Sequence, residues 1–324
     1  MQLSDDWHVP PAVQPRFEDY SFDLKASLAA IVGLRATIPS DAFTAETLGT
    51  ERLGNGVVIR KDGLILTIGY LITEAEEIWL TLSDGRTVPG HMVGFDQTTG
   101  FALVQALEKL DLPTLPLGQS SQVELGNRVV IGAAGGVERS LAAHVIGIQE
   151  FAGYWEYVLD QAFFTSPAHP HWGGTAMIGA QGELLGIGSL QLDGEHETKP
   201  QPLNMIIPID LLKPILDDML TMGKPNQTPR PWLGFFASQL DDKIVIMGTS
   251  TGSPAHRAEL QAGDLVLAVA GTEVDDLASF FRKIWSLGDA GVEVPLKIWR
   301  DGDTFDMIIN SGDRAKFLKG PKLH

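Results

Sequence analysis

Side chains able to do chemistry gather between Ser166 and Thr175, in the stretch Ala168-His169-Pro170-His171-Trp172-Gly173-Gly174-Thr175. His169 and His171 have the same-face spacing of a strand and could bind a metal. A two-residue His-x-His with no nearby third ligand does not make a metal site, and packing in a loop or groove is the plainer reading. Hydrolysis by a serine needs a nucleophilic hydroxyl, an imidazole to take its proton and a carboxylate to orient the imidazole. The chain has no cysteine, which excludes disulfides, thiol catalysis and thiolate metal sites. No metal or cofactor is expected.

The elements that must hold this stretch are short strands. An apolar run follows Thr175, then the turn Ala180-Gln181-Gly182-Glu183, then a second run, Leu184 to Gly188. Strand, glycine-containing turn, strand reads as a β-hairpin. Further strands are expected over Leu28–Thr37, Val57–Ile59, Leu64–Thr67, Ile78–Leu82, Phe101–Ala106, Arg128–Gly132, Ala143–Ile148 and Tyr154–Phe164. The run Ile38 to Leu53 reads as a polar loop. Asp62-Gly63 between two apolar runs is a strong hairpin signal. Closely spaced strands with turn chemistry argue for closed β-barrels. A helix over Asp210–Met222, capped by Asp210 and stopped by Gly223, ends this part. Lys224 to Pro231 is a linker by composition. Beyond it, strands at 244–246, 265–269, 294–299 and 304–309, a turn and short helix at Ser253–Leu260, and an amphipathic helix over Asp276–Leu287 fit one small α+β domain.

The 324 residues suit about two domains, and the 44 % apolar and 20 % charged content is that of a globular protein. A net charge of −17 argues against nucleic acid or an anionic membrane surface as partner. No apolar run is long enough to span a bilayer. Met1 to Phe17 lacks the pattern of a signal peptide, so the expectation is cytoplasmic if Met1 is the native start, and periplasmic if an upstream signal was removed.

Several motifs in fixed order resemble the HtrA/Deg family of trypsin-like serine proteases. Gly54 to Thr67 and Thr81-Leu82-Ser83-Asp84-Gly85-Arg86 resemble its first barrel. Leu115-Pro116-Leu117-Gly118 and the 173–188 hairpin resemble its second. Trp232-Leu233-Gly234-Phe235, Ser253-Pro254-Ala255, Gly263-Asp264 and Ala270-Gly271 resemble its PDZ domain. The resemblance implies a mainly β fold, a chymotrypsin-like double β-barrel followed by a C-terminal PDZ domain. The expected organisation is an N-terminal arm at 1–25, the double barrel at 26–223, a linker at 224–231, the PDZ domain at 232–313 and a solvated basic tail at 314–324. The arm aromatics Phe17, Tyr20 and Phe22 are placed as in the family, where such residues help hold trimers; the plainer reading packs them on their own domain.

Residue by residue, the resemblance puts Tyr70 where the family has its histidine, Gly100 where it has its aspartate and Trp172 where it has its serine. Pro170, without an N–H, stands where the family has an oxyanion donor. Asp96 and Ser166 are the nearby groups that could be recruited instead. The expectation that follows is a chain that is not an enzyme, a peptide-binding, scaffolding or regulatory protein. The alternatives are an active HtrA-type serine endopeptidase of protein quality control using unrecognised residues, or a chaperone-like holdase. By the same resemblance, Leu233, Gly234 and Phe235 form a carboxylate-holding nest and the start of a strand, and Phe280 and Ile284 line a groove for C-terminal or extended peptides. Glu259 departs from the glycine common in the family, which leaves the local turn in question.

Overall fold

The structure, a computed structural model, describes residues 7–194 and 201–320. The chain order is α1 (Leu24–Ala29), β1 (Ile31–Thr37), α2 (Ala45–Leu48), β2 (Glu51–Val58), β3 (Leu64–Ile68), α3 (Gly69–Ile72), β4 (Glu77–Thr81), β5 (Thr87–Phe95) and β6 (Phe101–Ala106). There follow β7 (Arg128–Gly132), β8 (Leu141–Gly153), β9 (Tyr157–Ser166), β10 (Ala176–Ile178), β11 (Leu184–Gly194), β12 (Gln201–Pro208) and α4 (Leu216–Met222). The last part holds β13 (Phe235–Leu240), β14 (Lys243–Thr249), α5 (Pro254–Arg257), β15 (Leu265–Val269), β16 (Thr272–Glu273), α6 (Leu277–Trp285), β17 (Glu293–Arg300) and β18 (Asp303–Asn310).

Strands β1-β2-β3-β6-β5-β4 close one barrel and β10-β11-β12-β9-β8-β7 close a second. Side-chain alternation explains the first closure: in β4, Ile78 and Leu80 are buried while Trp79 faces out. The β2–β3 and β10–β11 hairpins turn on Gly63 and Gly182, both at positive φ, where a glycine carries no Cβ penalty. Strand β3 is buried along its whole length, and the barrel interior leaves no polar face for it.

Two compact units emerge from the packing. Among the described residues, one comprises 7–149, 161–194, 201–226 and 320, the other 150–160 and 227–319. The tip of the β8–β9 hairpin, which the sequence reading leaves inside the barrel segment, therefore groups with the C-terminal unit. That unit is a sheet in the order β13-β14-β15-β17-β18, with β16 on β15, closed by α5 and α6. Asp276 caps α6, its carboxylate accepting the Ser279 N–H at 2.8 Å. Phe235, Phe280 and Phe281 stack at 5.5–6.2 Å in its core.

Several local expectations need correction. Residues 24–29 are helical, because Asp23 caps the Ala26 N–H, so the first strand starts at Ile31 rather than Leu28. The segment read as a loop to Leu53 holds α2 and the first half of β2. The helix expected from Asp210 is a 3-10 turn, Ile209–Leu211, followed by α4 only from Leu216; Pro214 interrupts the pattern. Strand β9 starts at Tyr157, since Glu156 turns the chain at φ 59°. The tail is not simply solvated: Arg314–Lys316 form a 3-10 turn, and the Phe317 ring lies 4.9 Å from Trp232. Its last four residues lie outside the described ones. At Glu259 the turn is kept, the glutamate itself adopting φ 61° while its carbonyl accepts from Arg300 at 3.0 Å.

Candidate functional site

The positions that the resemblance singles out are neighbours in space. The Gly69 N–H donates to the Gly100 carbonyl at 2.7 Å, which sets Tyr70 beside Gly100. The Tyr70 hydroxyl donates to the Ser189 carbonyl at 2.8 Å on β11. Burial pushes the phenol's pKa upward, with the neighbouring Trp172 side chain opposing. A phenol held protonated is a poor base at neutral pH. Gly173 is pressed under the same ring, for a Cβ there would lie 2.7 Å from the Tyr70 oxygen. Gly174, at φ 77°, has no room either: its Cβ would meet the Asn55 carbonyl at 1.9 Å. The frame around position 172 is thus tightly filled. Trp172 has no hydroxyl and Pro170 no N–H.

Asn55 on β2 fastens this loop. Its side-chain amide donates to the carbonyls of His171 and Gly173, both at 3.1 Å, and its oxygen accepts the Ala134 N–H at 2.9 Å. Behind Tyr70, the buried guanidinium of Arg52 donates to the carbonyls of Tyr70 (2.7 Å), Thr73 (3.1 Å) and Gly49 (3.2 Å) and to the Thr44 hydroxyl (2.8 Å). The Glu74 carboxylate completes the network, accepting from the Phe43 and Thr44 N–H groups and the Thr44 hydroxyl. Burial lowers the Arg52 pKa to about 10, with the Glu74 charge opposing. Sequence reasoning missed this pair, because a lone arginine in a strand carries no signal of burial.

His169 and His171 do not point at a common ligand. The His169 Nε2–H donates to the Arg139 carbonyl at 2.8 Å, and Nδ1 accepts the His171 N–H at 3.0 Å, so both ring nitrogens are spent on backbone. Burial holds its pKa down at about 4. The Asp96 carboxylate accepts the N–H groups of Thr98 (3.1 Å) and Thr99 (2.8 Å), a turn-forming role. Ser166 is the last residue of β9.

In the C-terminal unit, the N–H groups of Leu233 and Gly234 converge on one carboxylate. It is that of Glu156, whose Oε1 accepts from Leu233 at 2.9 Å and Oε2 from Gly234 at 2.7 Å. Gly234 has φ 80°, and a Cβ there would lie 2.3 Å from that of Ser253, so the loop demands glycine. Glu156 is 8 % exposed. Burial raises its pKa to about 7, while the three loop N–H groups and the charge of Arg314 pull it down. Phe235, Phe280 and Ile284 are buried side by side below this loop.

The comparisons with known proteins fit this architecture. A trypsin-like peptidase domain matches residues 54–187 and a PDZ domain residues 231–310. The serine endoprotease DegS of Haemophilus influenzae is 30 % identical over 237 residues, covering 70 % of this chain and 68 % of that protein. The chain belongs to the HtrA family. A probable periplasmic DegP-like serine endoprotease of Halomonas elongata is 28 % identical over 283 residues, 83 % of this chain; the chain spans 58 % of that relative's length. Among solved structures, the HtrA-type protease AlgW with a tripeptide superposes with a TM-score of 0.52 at 20 % identity, covering 92 % of this chain and 97 % of AlgW. The serine endoprotease from Yersinia pestis gives 0.51 at 20 %, covering 90 % and 96 %. At that identity the likeness is one of fold: a trypsin-like double barrel followed by a PDZ domain.

These relatives correct one expectation. A chain that is not an enzyme does not follow from Tyr70, Gly100 and Trp172 alone, since several of its HtrA relatives are named serine endoproteases. The relatives' names place several of them in the periplasm, and among the described residues no helix is long and apolar enough to cross a membrane.

Proposed function

We propose that this protein is a peptide-recognising member of the HtrA serine endoprotease family, binding C-terminal or extended segments of other proteins in protein quality control. Convergence of the Leu233 and Gly234 N–H groups on a carboxylate carries the reading, for that is the chemistry that captures a chain terminus. Strand β13 has an edge that takes main-chain pairing, for its Ala237 N–H donates to the Tyr154 carbonyl, and Phe235, Phe280 and Ile284 form the buried apolar floor beside it. The relatives' names support a periplasmic site of action, and the solved AlgW complexes with peptides support the ligand class. A homotrimer assembled partly through Phe17, Tyr20 and Phe22 belongs to the same proposal; Phe17 is 53 % exposed, while the Tyr20 and Phe22 rings pack on each other at 5.4 Å.

The test is titration of the full chain with a peptide ending in an apolar residue, as free acid and as amide. The free acid should bind more tightly, because amidation removes the charge that the N–H groups face. Equal affinities would sink the reading. Endopeptidase activity is a second reading, favoured by the names of the relatives. Its nucleophile would lie elsewhere than position 172. A fluorophosphonate probe, with labelled serines mapped and casein cleavage compared in Ser166→Ala, decides it: stoichiometric labelling establishes it, and an unlabelled protein that leaves casein intact rejects it.

A further inference from the structure

The PDZ nest holds a carboxylate belonging to the same chain, and the segment carrying it has the form of a ligand. From Tyr154 to Glu156 the tip of the β8–β9 hairpin runs antiparallel to β13. The Tyr154 carbonyl accepts the Ala237 N–H at 2.9 Å, three positions into the strand side of the loop, and Glu156 meets Leu233 and Gly234. Main-chain pairing two residues before a carboxylate held by backbone N–H groups is what a bound chain terminus would present. Past Glu156 the chain turns at φ 59°, and Val158 enters the apolar cluster of Leu233, Phe235, Phe280 and Ile284. Arg282 on α6 pairs with both Glu150 and Asp160, clamping the two flanks of the tip.

We propose that residues 154–158 are an internal ligand of the PDZ groove, with the Glu156 side chain standing in for a terminal carboxylate, so that an incoming peptide terminus must displace this tip to bind. The inference rests on the groove being a peptide site, as proposed above. Its physical basis is competition. A tethered ligand acts at an effective concentration of the order of millimolar, so it masks the groove from peptides of micromolar affinity without itself binding strongly.

The experiment uses the full chain and a fluorescein-labelled decapeptide ending Tyr-Trp-Val, as free acid and as amide. Affinity is read by anisotropy for wild type, Glu156→Gln and Glu156→Ala, with thermal melts to show that each variant is folded. In parallel, hydrogen exchange of the Leu233 and Gly234 amides is followed by NMR without peptide. Both variants should bind the free-acid peptide at least about tenfold more tightly than wild type, as expected when a charge-assisted contact is lost from the competing tip. Their two amides should exchange faster. Amide exchange unchanged by either substitution would overturn the docking. Faster exchange with equal peptide affinity in all three proteins would overturn the masking. Faster exchange with no preference for the free acid in any protein would instead mark failure of the peptide-groove reading itself, leaving a purely structural contact.

Discussion

Acidification should destabilise the barrel unit through His169, by an amount set by its surroundings. His169 as a whole residue is 1 % exposed. It donates from Nε2 to the Arg139 carbonyl and accepts at Nδ1 from the His171 N–H, while Asn204 brackets its backbone, accepting the His169 N–H at 2.6 Å and donating to its carbonyl at 3.1 Å. Protonating Nδ1 would break the His171 bond and leave a charge beside Arg139, with the Trp7 ring edge-on at 5.5 Å closing off water. The folded pKa is therefore about 4 against 6.5 in an unfolded chain. A base with a depressed folded pKa costs nothing above 6.5, where both states are neutral. Below that the unfolded chain takes the proton first, and stability falls until pH 4. At pH 4.5 the loss from this one group is about 2.5 kcal/mol, equivalent to about 5–10 °C in Tm for a unit of this size. The assay compares wild type with His169→Gln, whose amide can donate and accept in place of the two ring nitrogens but cannot titrate. Calorimetric melts of both proteins at pH 7.5 and 4.5 cancel the carboxylates they share. The barrel transition of wild type should drop by several degrees more than that of the variant. Parallel drops in the two proteins would refute the reasoning, showing that the ring is reached by water or that the unfolded chain protects it equally.

Two further outcomes follow from buried and strained positions. Glu259→Gly should raise PDZ stability by about 0.5–1 kcal/mol, because glycine removes the cost of a side chain at φ 61° and gives back only part of it in unfolded-chain entropy; a lowered PDZ transition in a thermal melt would contradict this. Arg52→Met should cost the barrel unit about 3–5 kcal/mol, since it takes the donor from the Tyr70 and Thr73 carbonyls and the Thr44 hydroxyl and removes a positive charge that acts on the buried Glu74 carboxylate; a denaturant midpoint within error of wild type would show the network to be dispensable.

Much of the architecture was legible in short stretches of sequence. Asp62-Gly63 and Gly182 mark hairpin turns because turn geometry is decided by two or three consecutive residues. The apolar spacing of Leu277, Phe280, Phe281 and Ile284, preceded by Asp276, announces α6 for the same reason: a helix face and its cap are local properties. The absence of a hydroxyl at Trp172 and of an N–H at Pro170 is likewise a matter of residue identity. Where local signals compete, they mislead. Leu28 and Ala29 continue an apolar run that looks like β1, yet a capping Asp23 makes them helical, and Pro214 delays a helix whose periodicity begins earlier.

What only the tertiary structure decided is which distant groups meet. Glu156 is one glutamate in a hairpin tip, 77 positions from Leu233, and nothing in its neighbours marks it as the occupant of a carboxylate nest. The Leu233 and Gly234 N–H groups find that carboxylate only once the hairpin tip and the loop have folded together. Arg52 and Glu74 share the Thr44 hydroxyl across a separation that turn chemistry does not span. His169 looked like half of a metal site until the backbone of Arg139 and His171 claimed both its nitrogens. Sequence specifies turns, faces and caps because those depend on neighbours along the chain; it leaves buried polar partners undetermined because each depends on closure of a barrel or docking of a loop.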